Sequence, residues 1–230
     1  VQTWTIIVKV FGFYHVGAIG RWKSIFDEQI HKIKNSNLFN ITEKIYVGVS
    51  GDAGDLNLDA KFAQIGRDEN LLNGECITLR HLYEFCQTVE PCHVWYIHTK
   101  GASHVNDDAI AKSTESWRKY LEYFIIDQHE ACLDLLKKYD VVGTEWRQCV
   151  FAGNFWWACS EHIKKLPNPL QNENVEMRYR AECDFITLGR PRMKNILTLI
   201  EPSLNGECLY HKQWNPELYK SLVFNGEDFV

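Results

Sequence analysis

A chain of 230 residues, 45% hydrophobic and 24% charged, is long enough to bury a full core without a disulfide or metal staple. Its formal charge of −5 and the lack of a long basic run disfavour a polyanion-binding role while leaving room for a local basic pocket, so no nucleic-acid partner is expected. No apolar run is long enough to span a membrane, and no signal-peptide pattern appears.

In chain order, "TIIVKVFGFY" (5–14) is a β-branched run ending on a glycine and aromatics, which predicts a first buried strand. Residues 20–36 place Trp22, Ile25, Phe26, Ile30 and Ile33 on one helical face. "KIYVGVSGD" (44–52) predicts a second strand, and "CITLRHLYEFCQTV" (76–89) an amphipathic helix stopped by Glu90-Pro91. "HVWYIHTKG" follows as a third strand. A long helical region is expected over 113–139, capped by Ser113 or Thr114. "DVVGTEW" (140–146) predicts a fourth strand, and 150–166 a glycine turn, an apolar segment and a helix. A short helix over 179–189 and a strand over 195–200 come next, and the tail from Asn205 has little periodicity. Alternating strands and helices predict one α/β domain over 1–230, with a mainly parallel sheet helix-covered on both faces. The chain begins without Met, which fits a domain taken from a longer polypeptide.

The eight cysteines show no CxxC spacing, and several sit in apolar segments. They are expected as buried, reduced thiols of a cytoplasmic protein. Asp52, Asp55 and Asp59 miss the alternate-residue pattern of a calcium loop, and His93, His98 and His104 with Cys92 lack a zinc spacing. No GxGxxG, GxxxxGK[ST] or GxSxG motif is present.

Ligands of open α/β sheets lie beyond the carboxyl ends of the strands. That rule selects "FGFYHVG", "SGD", "HTKGAS" and "GTEW". Lys100, between a threonine and a glycine at such a tip, suits phosphate oxygens as a compact counter-charge. In "AGNFWWA" (152–158) the aromatics are simplest as core, yet Gly153-Asn154 offers a tight turn and an amide. In "AECDFI" (181–186), Glu182 and Asp184 point to different faces of a helix. One is a candidate general base, and the other a partner for Arg178 or Arg180.

"YIHTKG", "SWRKYLEYFII", "YDVVGTEW", "GNFWWA" and "AECDFI", in that order, resemble a group of GT-A-type glycosyltransferases found in bacteria and large DNA viruses. The resemblance runs from about residue 5 to about 215 and implies a Rossmann-like GT-A domain. It implies a nucleotide-sugar donor, usually a UDP-sugar, and a glycan acceptor. Where GT-A enzymes carry an Asp-x-Asp motif holding Mn²⁺ or Mg²⁺, this chain has His98-Thr99-Lys100, so no cofactor is expected and Lys100 takes over neutralisation of the diphosphate. His98, Thr99, Lys100 and Gly101, with His211, are then the donor-binding set. Phe11, Gly12, Tyr14, Asp52 and Arg80 form the nucleoside side. Gly153, Asn154, Trp156, Trp157, Trp117 and Arg118 shape the sugar and acceptor pocket. By the same resemblance Glu182 is the first choice of base for an inverting transfer, and Asp184 the second.

Two other readings remain open. A non-catalytic carbohydrate- or nucleotide-binding domain on a degenerate GT-A fold fits the missing Asp-x-Asp. A nucleotidyltransferase would need acidic metal ligands at the strand tips, which are sparse here.

Overall fold

The computed structural model describes residues 8–106, 108–144, 146–147, 150–166, 168, 185–187, 196–198, 213 and 215–220. In chain order these form β1 (Lys9–Gly17), α1 (Trp22–Lys34), α2 (Asn37–Ile41), β2 (Thr42–Ser50), β3 (Phe62–Asp68), α3 (Cys76–Thr88) and β4 (Cys92–His98). There follow α4 (Ala109–Glu122), a π turn over Tyr123–Asp127, α5 (His129–Leu135), β5 (Val141–Gly143) and the short pair β6 (Trp146–Arg147) and β7 (Val150–Phe151). β8 (Trp156–Cys159), α6 (Ser160–Lys164), β9 (Ile196–Thr198) and α7 (Pro216–Lys220) complete the order.

Seven strands make one sheet in the order β3-β2-β1-β4-β8-β5-β9. β1 pairs in parallel with β2 and β4, and β2 with β3, while β8 runs antiparallel to both β4 and β5. The fold is thus mixed α/β with a mostly parallel sheet, as the alternation of elements predicts. No described helix is long and apolar enough to cross a membrane.

Because strand side chains alternate, each central strand feeds two cores. Val10, Tyr14, Val16, Trp95, Ile97 and Trp157 pack toward α1 and α4, against Phe26, Ile33, Tyr120 and Leu121. Phe13, Val94, Tyr96, Trp156 and Ala158 pack toward α3 and α6, against Leu79, Leu82 and Ile163. Gly12 is required by this arrangement, since a Cβ there would lie 2.2 Å from Cζ2 of Trp95. The indole passes over β1 and donates from Nε1 to Thr42 Oγ1 at 3.1 Å.

The structure moves several boundaries. β1 is shifted toward the carboxyl side of the predicted strand and runs to Gly17, because the run continues through Tyr14, His15 and Val16, all buried. The helix expected from 113 begins at Ala109 and is capped by Asp108, whose Oδ1 accepts from the Ala111 amide at 2.8 Å. Ser113 and Thr114 are instead buried within it. The expected 113–139 helix is also interrupted by the π turn before α5. β3 was not legible as a strand: it is an edge strand, largely half-exposed, and its "FAQIGRD" lacks an apolar period. The short helix expected over 179–189 lies largely outside the described residues, of which Phe185–Thr187 form a buried turn.

Replacing Gly12 with Ala pushes a methyl into the Trp95 ring. We expect a loss of about 1–3 kcal/mol in chemical denaturation, with no change of fold by circular dichroism.

Candidate functional site

A cleft of about 460 Å³ opens beyond the carboxyl ends of β1, β2 and β4. His15 and Gly17 line it from β1, Ser50 from β2, Glu75 from the start of α3, and His98 to Gly101 from β4 and the turn after it. This cleft lies where the sheet rule points, and "HTKG" contributes four successive residues to it.

Each wall residue is held by identifiable partners. Thr99 Oγ1 accepts from the Gly17 amide at 2.9 Å, which ties the tips of β1 and β4 together. Lys100 places Nζ 3.9 Å from the centroid of the Trp117 ring, so an indole face on α4 orients the ammonium. Gly101 at φ 84 and Gly153 at φ 92 use backbone that favours glycine. At Gly153 a Cβ would lie 2.5 Å from Leu121 Cδ1. Its carbonyl oxygen is 2.9 Å from His98 Nε2. Asn154, at φ 52, buries its amide between Glu75 and Trp156. Its Nδ2 donates to Glu75 Oε2 at 2.7 Å, and its Oδ1 accepts from Trp156 Nε1 at 2.8 Å. Tyr96 donates to the same Glu75 oxygen at 2.5 Å.

Glu75, His15 and Ser50 belong to the cleft but were not singled out in the sequence. His15 is buried, with Nδ1 2.8 Å from Thr78 Oγ1 and Nε2 3.1 Å from Ser50 Oγ. Burial, and then the neighbouring His98, lower its pKa to about 3, so the ring is neutral at physiological pH. Gly48 makes room for this contact, since a Cβ there would lie 2.1 Å from Thr78 Oγ1. His15 and Ser50 lie within "FGFYHVG" and "SGD", which the sheet rule selects without naming them, and Glu75 carries no motif around it.

Other expected site residues sit elsewhere. Phe11 and Gly12 are in mid-strand, with Phe11 packed edge-on to Phe85, while Tyr14 is fully buried and donates to Gln29 Oε1 at 2.6 Å. They miss the nucleoside side because β1 continues past them. Asp52 is exposed and binds Arg67 at 3.2 Å, and Arg80 is exposed on α3; neither lines the cleft. Trp156 and Trp157 are fully buried, the first stacked on Tyr96 and the second donating to the Ile125 carbonyl at 2.9 Å. They are core, and the amide of Asn154 serves Glu75 from within. Trp117 meets the cleft wall at Lys100. Glu182, Asp184 and His211 lie outside the described residues.

Arg118 does not shape an acceptor end. Its Nη1 lies 2.6 Å from the fully buried Glu122 and its Nη2 2.7 Å from Glu28. Gln29 Nε2 donates to Glu122 at 2.8 Å and to the His98 carbonyl at 3.1 Å, linking this network to the β4 tip. Burial pushes the Glu122 carboxyl above its ordinary range, opposed by Arg118.

Among the described residues no group of three or more His, Cys, Asp or Glu is placed to hold a metal ion. Among the described residues lining the cleft the carboxylate is Glu75, and Tyr96 and Asn154 already engage it. A protein-family profile described as "Domain of unknown function (DUF8361)" matches residues 14–207, and no curated protein matches the chain.

Two outcomes follow from these partners. Arg118→Met leaves Glu122 buried without its counter-charge, and a stability loss of about 3–5 kcal/mol is expected in urea melts. For His15 the unfolded ring binds a proton below its ordinary value of 6.5, while the folded ring stays neutral down to about 3. Stability therefore falls as pH drops through that window, by up to about 1.4 kcal/mol per pH unit, and His15→Gln flattens the slope.

Proposed function

The chain belongs to the DUF8361 family, and we propose that it is a glycosyltransferase taking a nucleotide-sugar donor, a UDP-sugar first, to a glycan hydroxyl. The observation that carries the reading is Lys100: a lysine at the tip of a central parallel strand, oriented by Trp117, lining a cleft where the sheet places ligands. Added to it is the GT-A resemblance of the segments that build this wall.

In this reading the donor diphosphate lies against the turn after β4, with its oxygens toward Lys100 and the Gly101 backbone. As the bond between the anomeric carbon and the diphosphate oxygen breaks, negative charge grows on the leaving group. The ammonium is already in place and stabilises that charge without reorganising. The acceptor oxygen attacks the anomeric carbon from the opposite side, which inverts it, and its proton passes to a carboxylate. Glu182 is the proposed base, ahead of Asp184, and His211 is a further proposed contact of the diphosphate. The described cysteines are free and mostly buried; burial pushes the Cys76 thiol up to about 11. Such thiols suit the cytoplasmic site of action that we propose.

One observation favours a second reading, a non-catalytic nucleotide- or carbohydrate-binding domain. Among the described residues lining the cleft the carboxylate, Glu75, accepts from two donors, Tyr96 and Asn154, and is engaged as a structural acceptor.

A donor screen by thermal shift, followed by nucleotide-release assays with EDTA and with Mn²⁺, separates the two. We expect a UDP-sugar to raise Tm, Lys100→Ala to weaken that shift by roughly tenfold in affinity, and release to survive EDTA. Glu182→Gln is expected to keep binding and lose at least about a hundredfold in turnover. Binding without release from any donor sinks the enzyme reading in favour of the second. Full turnover by both Glu182→Gln and Asp184→Asn removes the base assignment.

A further inference from the structure

A second concavity, of about 660 Å³, lies on the α1 and α4 side of the sheet and is closed at one edge by α7. None of its described lining residues is shared with the cleft. Among them, three lysines (Lys32, Lys119 and Lys220) stand with three carboxylates (Glu28, Glu122 and Asp127). Net charge therefore favours neither an anion nor a cation here.

The wall owes its shape to the π turn. The Gln128 amide donates at 3.0 Å to the Tyr123 carbonyl five residues back, one residue more than an α-helix spans. Such turns are rare and occur mostly at functional sites. Glu122, Tyr123 and Asp127 all reach the pocket from this stretch. Lys32 on α1 meets Asp127 at 2.6 Å and ties the two sides of the rim together. Tyr123 is half-buried, and its ring is braced by the buried Tyr219 at 5.3 Å between centroids.

Polar atoms of the wall keep hydrogen-bonding capacity. Gln29 Nε2 and Arg118 Nη1 both bond to Oε1 of the buried Glu122, and its Oε2 makes no hydrogen bond among the described residues. His129 is 5% exposed and donates from Nδ1 to the Ile126 carbonyl at 2.9 Å, while its Nε2 has no partner among the described residues. The Tyr123 hydroxyl accepts from Gln128 Nε2 at 3.0 Å, so its own proton is left to donate. A charged ligand of either sign meets its like among these groups. A neutral ligand with many hydroxyls does not, because each hydroxyl both donates and accepts. It bonds to carboxylates and ammoniums alike, and such charge-assisted bonds are stronger than neutral ones. The negative face of the Tyr123 ring suits the polarised C–H bonds of a sugar.

We infer that this pocket is a saccharide-binding site separate from the cleft, with Asp127 and Glu122 accepting from sugar hydroxyls, Lys32 and Lys119 donating to them, and Tyr123 against the sugar face. The inference goes beyond both readings of the cleft and depends on neither. A transferase would use such a site to hold a glycan away from its reacting end, and a binding domain as a platform of its own.

The test is a nitrogen-15 NMR titration of the ligand-free protein with glucose, galactose, N-acetylglucosamine and rhamnose, each to about 50 mM so that a Kd of about 1 mM is saturated. At least one sugar is expected to move the amides of Lys32, Tyr123 and Asp127 and to leave those of Lys100 and Gly101 in place. Asp127→Ala, at an exposed position, and Tyr123→Leu are each expected to weaken that sugar roughly tenfold, while Tyr123→Phe keeps the ring and most of the affinity. UDP added to the sugar-loaded protein is expected to leave these shifts unchanged. No sugar-induced shift at these amides, shifts confined to the cleft, or displacement of the sugar by UDP overturns the inference. So does a response of these amides to sulfate or spermidine without one to sugar, or wild-type affinity in both Asp127→Ala and Tyr123→Leu. The wild-type shift map and Asp127→Ala decide even if Tyr123→Leu fails to fold. Should a sugar bind here while no donor releases its nucleotide, the transferase reading fails alone.

Discussion

The two-residue period of β4 is the constraint from which the cleft follows. Trp95 and Ile97 face α1 and α4, so Val94, Tyr96 and His98 must face α3. That single alternation brings the Tyr96 hydroxyl and the His98 ring to the same carboxylate, Glu75, at the start of α3. It also sets the pairing with β8, where Tyr96 stands opposite Trp156, whose indole then stacks on it and grips Asn154. A register slip of one residue would turn all of these into the opposite core.

The two faces of the sheet meet at the β4 tip. On the α1 side, Tyr14, Gln29, Glu122 and Arg118 form a buried chain of donors and acceptors that ends on the exposed Glu28. Gln29 ends that chain on the His98 carbonyl. On the α3 side, the His98 ring joins Glu75 and Gly153. Residue 98 is thus fixed through its backbone from one core and through its side chain from the other. A cation-bearing turn needs such a rigid base if its charge is to act without reorganising.

Two histidines on paired strands meet different neighbours. His15 meets hydroxyls, which accept either tautomer and give no reason to charge it, and burial then keeps it neutral. His98 places Nε2 2.9 Å from the Gly153 carbonyl and Nδ1 3.7 Å from the Glu75 carboxylate. The difference lies in what stands opposite each ring, since both occupy equivalent positions at a strand tip.

Much of this was legible in the chain itself. β-branched and aromatic runs of period two marked β1, β2 and β4, and helical spacing of Trp22, Phe26 and Ile33 marked α1, because burying one face is a local requirement written into residue order. With the rule that ligands sit beyond strand ends, that was enough to select His98 to Gly101. The edge strand β3, the antiparallel β8 and the true end of β1 were decided by pairing partners far away in sequence, which no local pattern encodes. The same holds for Glu75, Asn154 and the tryptophans: whether a polar or aromatic side chain serves a ligand or another side chain depends on what packs opposite it. The sequence determined which residues stand at the strand tips, through hydrophobic periodicity; tertiary structure alone decided which charges meet there, because ion pairs and burial are set across the sheet.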